Sequence, residues 1–164
     1  MARFCGQDRC LIDANGRLKL SARFEQDFRA AGALEIVLHC LAEGALAIYP
    51  LPVWEQMRAE EAKTALKAGT SIVARRQLRR FGAMTQVEAL SNQGRITVPT
   101  EFRPLLKLEP GTGAVVVGCE IGVEVWNADR WAAELQLLRE HDVQCAEMEM
   151  KAAVAAAGIP QPPA

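Results

Sequence analysis

The chain of 164 residues is 50% hydrophobic and 24% charged, a composition typical of a globular protein with one domain or two small ones. Its formal net charge of -1 excludes a chain that is basic throughout, but the charge is unevenly distributed. Residues 1–30 carry a net charge of +2 and residues 119–151 a net charge of -5, so a polyanion should bind the N-terminal part, if any part binds one.

Cysteine content and hydropathy exclude further classes of protein. The five cysteines are an odd number without paired close spacing, which fits neither a disulfide framework nor a zinc site. We therefore expect reduced thiols, no metal and no cofactor. The start of the chain lacks the apolar core of a signal peptide, and the most apolar run, residues 33–54, is interrupted by charged residues and prolines. We expect a cytoplasmic, unprocessed protein with no membrane partner. The cysteines are Cys5, Cys10, Cys40, Cys119 and Cys145.

One segment of the chain is repeated. Residues 15–24, which begin Asn-Gly-Arg-Leu, return as residues 93–102, which begin Gln-Gly-Arg-Ile, so equivalent positions lie 78 apart. A unit of under about 80 residues buries only a small core, so we expect the two copies to pack together as a pseudo-dimer and to self-associate. Such an assembly would present each Gly-Arg turn repeatedly.

The first repeat begins with a pattern typical of a β-hairpin. Leu11 and Ile12 precede a polar turn, residues 13–16, which ends in glycine, and apolar residues then alternate with Arg17 and Lys19. The period of two directs the apolar side chains inward and places Arg17 and Lys19 on one exposed face.

Helices and strands then follow in the same order through both repeats. The spacing of Phe24 and Phe28 predicts a helix that ends at Gly32, and the basic residues 71–81 predict a connecting helix that ends at Gly82. The other predicted elements are strands 34–40 and 45–49, a helix that begins at Pro50-Leu51-Pro52, strands 83–90 and 95–98, a short helix at Pro99-Thr100, strands 114–117 and 121–126, and a helix after Asn127.

Four landmarks in this order resemble the MraZ family of bacterial regulators, which are built from two repeats of the fold found in AbrB-type regulators and antitoxins. The resemblance spans residues 4–140. It implies an α+β, mainly β fold, in which two tandem AbrB-like repeats of the swapped-hairpin type form a pseudo-dimeric β-barrel with helices after each repeat. The landmarks are Phe4-Cys5-Gly6, Asp13-Ala14-Asn15-Gly16-Arg17-Leu18, Tyr49-Pro50-Leu51-Pro52-Val53-Trp54-Glu55 and Gly94-Arg95.

The resemblance and the element pattern together predict the division of the chain. We expect a first repeat at residues 4–52, a helical connector with a basic segment at 53–82, a second repeat at 83–129, a C-terminal helix at 130–150 and a flexible tail at 151–164.

The resemblance implies a non-enzymatic function. The expected protein is a sequence-specific transcriptional repressor of the division and cell-wall gene cluster and of its own promoter. It would bind short repeats in double-stranded DNA as a ring-like homo-oligomer, associated with the nucleoid, without a small-molecule substrate. The alternative is an oligomeric interaction module or an antitoxin-like protein whose DNA binding is weak or lost.

DNA contact in this family is assigned to the Asp-x-x-x-Arg element, here residues Asp13 to Arg17. Arg17 is the main candidate, because arginine offers paired donors to guanine edges or phosphates and a two-stranded ribbon fits the major groove. Asp13 would orient Arg17 through a charge-assisted hydrogen bond. Asn15 and Gly16 would form the DNA-facing turn, and Lys19 is a candidate phosphate contact, with a solvated surface charge as the alternative.

Three positions depart from the family pattern. Asn15 replaces the usual lysine, which keeps the turn but removes one positive charge, and Ser21 replaces the usual proline. Ser91 replaces the aspartate of the second repeat, so Arg95 is a weaker candidate for DNA contact than Arg17.

Other prominent residues have structural interpretations. The arginines within residues 75–80 are expected to pair with the acidic C-terminal helix of the same or a neighbouring subunit, with a phosphate contact as the alternative. The three tryptophans are expected to be core or interface anchors. His39 and His141 lie far from any nucleophile motif or metal-binding spacing, which argues against an enzyme.

Overall fold

The computed structural model describes residues 3–67 and 71–158. They form an α+β fold with a mainly antiparallel sheet, as predicted, and the contacts divide the chain into two units, Met1–Ala128 and Asp129–Ala164. The elements in chain order are β1 (Gln7–Leu11), β2 (Arg17–Lys19), α1 (Ala22–Ala30), β3 (Glu35–Cys40), β4 (Leu46–Pro50), α2 (Leu51–Lys67), α3 (Ile72–Ala83), β5 (Thr85–Ala89), β6 (Arg95–Thr97), α4 (Arg103–Leu106), β7 (Gly113–Gly118), β8 (Val123–Asn127) and α5 (Ala128–Ala156).

The strands of the two repeats pair with each other. Six strands form one antiparallel sheet in the order β1-β7-β8-β4-β3-β5, and β2 pairs with β6 in a separate two-stranded sheet, which we call the ribbon. The exchange is reciprocal, because β1 of the first repeat pairs with β7 of the second while β5 of the second pairs with β3 of the first. Although β3 pairs with β4 and β7 with β8 inside their own repeats, β1, β2, β5 and β6 find their partners only in the other repeat.

The hairpin predicted around residues 13–16 is wrong in its strand pairing. The turn itself forms, since the Asp13 N–H donates to the Arg17 carbonyl at 2.8 Å and the Gly16 N–H donates to the Asp13 carbonyl at 2.9 Å. The flanking strands, however, pair with β7 and β6. An isolated two-stranded hairpin is only marginally stable, whereas exchange between repeats places both strands against a shared core.

The inner face of the ribbon covers this core. Leu18, Leu20, Ile96 and Val98 are at most 1% exposed and belong to the same buried cluster as the apolar side chains of the six-stranded sheet. Burying one such side chain contributes roughly 1.5–3 kcal/mol to stability. The predicted alternation in β2 is confirmed, and the residues between these apolar positions are left on the outer face.

Two aromatic side chains anchor α1 beside the ribbon. Phe24 and Phe28 are fully buried, and the ring of Phe28 meets that of Phe4 edge to face at 4.8 Å. The chain leaves the helix at Gly32, whose φ of 69° lies in the left-handed region that glycine favours. The predicted helix end is therefore confirmed, and α1 is anchored in the shared core through these two rings.

Two predicted helix ends are wrong. The connecting helix α3 continues through Gly82 to Ala83, because the following N–H closes its last turn by donating to the carbonyls of Arg80 and Phe81. The alanine-rich start of the tail is helical as well, since α5 reaches Ala156 and alanine has the highest helix propensity. The rest of the predicted tail, residues 159–164, lies outside the described residues. Of the helices described, none combines the length and apolarity needed to cross a membrane.

Candidate nucleic-acid interface

The outer face of the ribbon brings together cationic side chains from both repeats. The register pairs Arg17 with Thr97 and Lys19 with Arg95, and all four lie on the face opposite the buried leucines. Directly opposed residues on one face of an antiparallel pair have Cβ atoms about 4.5–5.5 Å apart, and diagonal neighbours about 7–8 Å. Three cations therefore form one compact patch, to which each repeat contributes.

The first turn, residues 13–16, orients the arginine that follows it. The Asp13 carboxylate accepts the backbone N–H groups of Asn15 and Arg17, both at 2.9 Å, through Oδ1. Its Oδ2 accepts Nε of the Arg17 guanidinium at 3.1 Å. The Arg17 backbone N–H, the Asn15 N–H and the Arg17 guanidinium together lower the pKa of Asp13 against the opposing effect of burial, so this carboxylate is ionised at neutral pH.

Glycine is required at the apex of this turn. Gly16 has a φ of 72°, and a Cβ atom there would overlap the guanidinium of Arg103. The carbonyl of Gly16 accepts the N–H of Val98 at 2.9 Å, which joins the first turn to β6. The turn is thus packed against the second repeat on its core side.

Sequence reasoning missed Arg103. Its Nε donates to the Val98 carbonyl at 2.9 Å and its Nη2 to the Asn15 carbonyl at 3.4 Å, so a side chain of the second repeat braces the turn of the first. Among the described residues it forms no ion pair. The one feature of the sequence that could have drawn attention to Arg103 is the repeat, because the offset of 78 residues makes Arg103 equivalent to Glu25, a residue of opposite charge.

The second turn, residues 91–94, has a similar backbone with different charges, since the Gly94 N–H donates to the Ser91 carbonyl at 3.1 Å as the Gly16 N–H does to that of Asp13. The Ser91 hydroxyl accepts the Arg95 N–H at 2.9 Å, so serine replaces one of the two backbone contacts that aspartate makes in the first turn. It supplies no charge, and the exposed Arg95 side chain makes no ion pair within the described part of the chain. The Glu25 carboxylate lies next to Gly94, where a Cβ atom would point. Arg103 has the equivalent position next to Gly16 in the first turn.

Arg29 contacts both the second turn and the Glu25 carboxylate. Its Nη2 donates to the Asn92 carbonyl at 3.1 Å and lies 3.8 Å from the Glu25 carboxylate. The carbonyl of this turn is therefore held by an arginine whose charge is compensated by a neighbouring acid.

The surroundings of Cys10, Cys119 and His39 do not favour catalysis. All five cysteines are free, and burial raises the pKa of Cys10 to about 11 and that of Cys119 to about 12, which disfavours the reactive thiolate. Within residues 3–67 and 71–158 no group of three or more potential ligands could hold a metal ion. His39 packs between the rings of Trp54 and Phe81 at 5.3 and 5.0 Å.

A family model described as "MraZ protein, putative antitoxin-like" matches residues 3–78 and matches again at residues 81–152. The chain belongs to the MraZ family. The two matches divide it into two MraZ repeats, in agreement with the repeated turn and with the exchange of strands.

Curated relatives are consistent with the MraZ assignment. A protein of Thermomicrobium roseum is 33% identical over 82% of this chain and 89% of its own length. A protein of Pelotomaculum thermopropionicum is 33% identical over 78% and 82% of the two chains, and one of Herpetosiphon aurantiacus is 31% identical over 88% and 94%. Each of these relatives is named "Transcriptional regulator MraZ".

One departure from the MraZ pattern has a clear structural role. The Ser21 hydroxyl donates to the Asp8 carboxylate at 2.6 Å, and the Arg23 guanidinium binds the same group at 2.7 Å. Burial opposes ionisation of Asp8, but the hydrogen bonds from Ser21 and Arg23 lower its pKa. The serine therefore ties the end of the ribbon to β1, and Arg23 is compensated by an acid.

Proposed function

We propose that this protein is a transcriptional regulator that binds double-stranded DNA with the outer face of the ribbon. The observation that carries the proposal is the orientation of Arg17, whose guanidinium is held by Asp13 on an exposed cationic strand. Fixing a guanidinium in advance lowers the entropy lost when it binds a base edge or a phosphate. Asn15 and Gly16 would then face the DNA at the turn.

The charge pattern of the ribbon supports a polyanionic ligand. Lys19 lies directly opposite Arg95, and like charges in that arrangement destabilise a free sheet. A DNA phosphate between them would remove this repulsion, which adds to the attraction that each cation contributes alone. We propose Lys19 as a phosphate contact and Arg95 as a weaker DNA contact.

The dimensions of the ribbon suit the major groove. A two-stranded antiparallel sheet fits a groove about 12 Å wide, and strands of three residues reach over only a few base pairs. Each chain should therefore recognise a short DNA sequence, and useful affinity requires several chains.

We propose that self-association supplies this multiplicity. The two sheets share one core, which supports a pseudo-dimeric β-barrel as the subunit. The outer strands of the six-stranded sheet carry exposed apolar side chains, with Leu11 of β1 62% exposed and Val87 of β5 51% exposed, and such edges favour contact with another chain. A ring-like homo-oligomer would bind successive promoter repeats with the gain in affinity that linked sites provide.

The genes and the sign of regulation follow from the family resemblance. We propose repression of the division and cell-wall gene cluster and of the protein's own promoter, in the cytoplasm and in association with the nucleoid. The tandem MraZ matches and the names of the relatives support a regulator.

An oligomeric interaction module with weak or lost DNA binding is the second candidate. It is favoured by the loss of lysine at Asn15 and of aspartate at Ser91, and by the family description as antitoxin-like. In such a module the Asp13–Arg17 pair would only stabilise the turn.

Gel retardation with DNA from upstream of the protein's own gene separates the two candidates. We expect specific retardation that falls steeply with salt, because phosphate neutralisation releases counterions, and weaker retardation of a scrambled duplex of equal length. Absence of binding to either duplex at low salt would contradict the regulator and favour the interaction module.

A further inference from the structure

One charged side chain from the other repeat lies next to the glycine of each Gly-Arg turn, where a Cβ atom would point. Arg103 lies below Gly16 and Glu25 lies below Gly94, so that equivalent positions of the repeat carry opposite charges. The backbone around them is alike, since Gly16 and Gly94 accept the N–H groups of Val98 and Leu20, both at 2.9 Å. Besides the difference between Asp13 and Ser91, the two turns therefore differ in charged side chains that belong to neither turn.

The guanidinium of Arg103 is held in place by hydrogen bonds, and its charge is not compensated by any acidic side chain that the structure describes. Two of its five N–H donors are used on the carbonyls of Val98 and Asn15, which leaves three donors and the full charge. It is half-buried and forms no ion pair with any residue that the structure describes. A guanidinium that is held by neutral carbonyls and retains paired donors is suited to a phosphate oxygen.

Arg103 also lies next to the proposed base-reading residue. Its Nη2 is bonded to the carbonyl of Asn15, two residues before Arg17. Asp13 compensates the charge of Arg17 through the contact at 3.1 Å, so Arg103 provides the excess positive charge at this turn. Arg17 would then bind a base edge while Arg103 binds a phosphate of the adjacent DNA backbone.

The second turn has the opposite arrangement. The Glu25 side chain is only 19% exposed, and Arg29, at 3.8 Å from its carboxylate, holds the Asn92 carbonyl. A phosphate that approached this turn as it would approach the first one would come close to a carboxylate. Like charges in a partly desolvated site are strongly unfavourable.

We propose that Arg103 binds a DNA backbone phosphate at the first turn, and that Glu25 keeps phosphate away from the equivalent place at the second turn. This inference rests on the proposed DNA binding of the ribbon. It makes the DNA contact of each chain asymmetric, so that the first turn carries the backbone contact and the second turn only supplements it through Arg95.

Four single variants, Arg17→Ala, Arg103→Gln, Arg103→Lys and Glu25→Gln, are compared with the unmodified protein on one duplex from upstream of the gene, with binding measured at several salt concentrations. Arg103→Gln should weaken binding about tenfold and reduce the slope of log affinity against log salt by about one, the effect of losing one phosphate contact. Arg103→Lys should keep the slope, because it keeps the charge. Glu25→Gln, which preserves the size of the side chain, should strengthen binding by about two- to fivefold.

The outcomes separate this inference from the proposed function. If the unmodified protein does not bind duplex DNA, both fail. If the unmodified protein binds and Arg17→Ala removes specific binding, the proposed function stands. If Arg103→Gln then leaves the slope of log affinity against log salt unchanged, only the phosphate contact is overturned, and Arg103 stabilises the turn without binding DNA. A loss of slope in Arg103→Lys equal to that in Arg103→Gln also overturns the contact. No gain in Glu25→Gln overturns the role of Glu25. Circular dichroism and thermal unfolding of each variant show whether the fold is retained.

Discussion

The first and second turns have similar backbones and different charges, and their comparison shows how a duplicated unit can become specialised. In both turns the residue at the first position accepts the N–H of the arginine, at 2.9 Å from Asp13 and at 2.9 Å from Ser91. Only Asp13 also binds the guanidinium. Packing of the shared core preserves the backbone in both copies, whereas the exposed charges are free to diverge.

The largest expected effect is the loss of Arg17. Arg17→Ala should abolish specific DNA binding, because it removes the one arginine that a carboxylate holds in place on the ribbon, and several subunits multiply the loss. Arg95→Ala should have a smaller effect, since Arg95 has no orienting partner among the described residues. Gel retardation measures the binding, and light scattering should show an unchanged oligomer in both variants. Equal losses in the two variants would break the asymmetry between the turns.

The shared backbone is tested by replacing the two turn glycines. Gly16→Ala and Gly94→Ala should each lower the free energy of unfolding by about 2–3 kcal/mol, because alanine at positive φ is strained and its Cβ would displace the Arg103 or Glu25 side chain from its hydrogen bonds or ion pair. Gly32→Ala is the matched control, since its φ of 69° imposes similar strain while no atom lies within 4 Å of the added Cβ. It should cost about 1 kcal/mol. Urea unfolding measures all three, and equal costs would show that the packing below the turns is unimportant.

Replacing the orienting carboxylate should reduce discrimination between DNA sequences more than affinity. Asp13→Asn keeps an oxygen for the two backbone N–H groups but weakens the hold on the Arg17 guanidinium, and it removes a negative charge from the surface. We expect the ratio of specific to non-specific affinity to fall about tenfold while binding to a scrambled duplex becomes tighter. An unchanged ratio would show that Asp13 does not position Arg17 for DNA.

Restoring the missing carboxylate at the second turn should make the turns more alike. Ser91→Asp is expected to keep the contact with the Arg95 N–H and to orient its guanidinium, which should tighten specific binding by about two- to fivefold. Ser91→Asn is the neutral control and should have little effect. If both variants bind as the unmodified protein does, orientation is not what limits Arg95.

The pH dependence of specific binding should be weak. The lowered pKa of Asp13 means that its pair with Arg17 is fully formed above the ordinary aspartate pKa of about 3.9 and is lost only as the pH falls through the lower folded value. Between pH 8 and pH 5 we therefore expect no loss of discrimination in a binding titration. A transition within that interval would point to a group other than Asp13.

Local patterns predicted much of this arrangement. The polar turn that ends in Gly16 and the alternation around Leu18 follow from contacts within a few residues, so the outer face of β2 could be predicted from the sequence. The start of α2 after β4 and the end of α1 at Gly32 are likewise local.

Contacts between the repeats could not be derived in the same way. The bond from Arg103 to Asn15 joins residues 88 positions apart, and Arg29 reaches Asn92 across 63. The exchange of β1 and β5 between repeats is equally non-local, and no pattern in the residues themselves distinguishes it from two separate hairpins. The difference between Asp13 and Ser91 is visible in the sequence, whereas the charges that Arg103 and Glu25 bring to the two turns are assigned to them only once the chain is folded.

The most direct test of the central claim is a photocross-link between the ribbon and DNA. A benzophenone amino acid at Thr97, which faces outward opposite Arg17, should cross-link to a duplex from upstream of the gene. The same probe at Val73, which is 67% exposed near the start of α3 and is not part of the ribbon, should not. Efficient cross-linking from Val73 with none from Thr97 would place the DNA elsewhere and contradict the account.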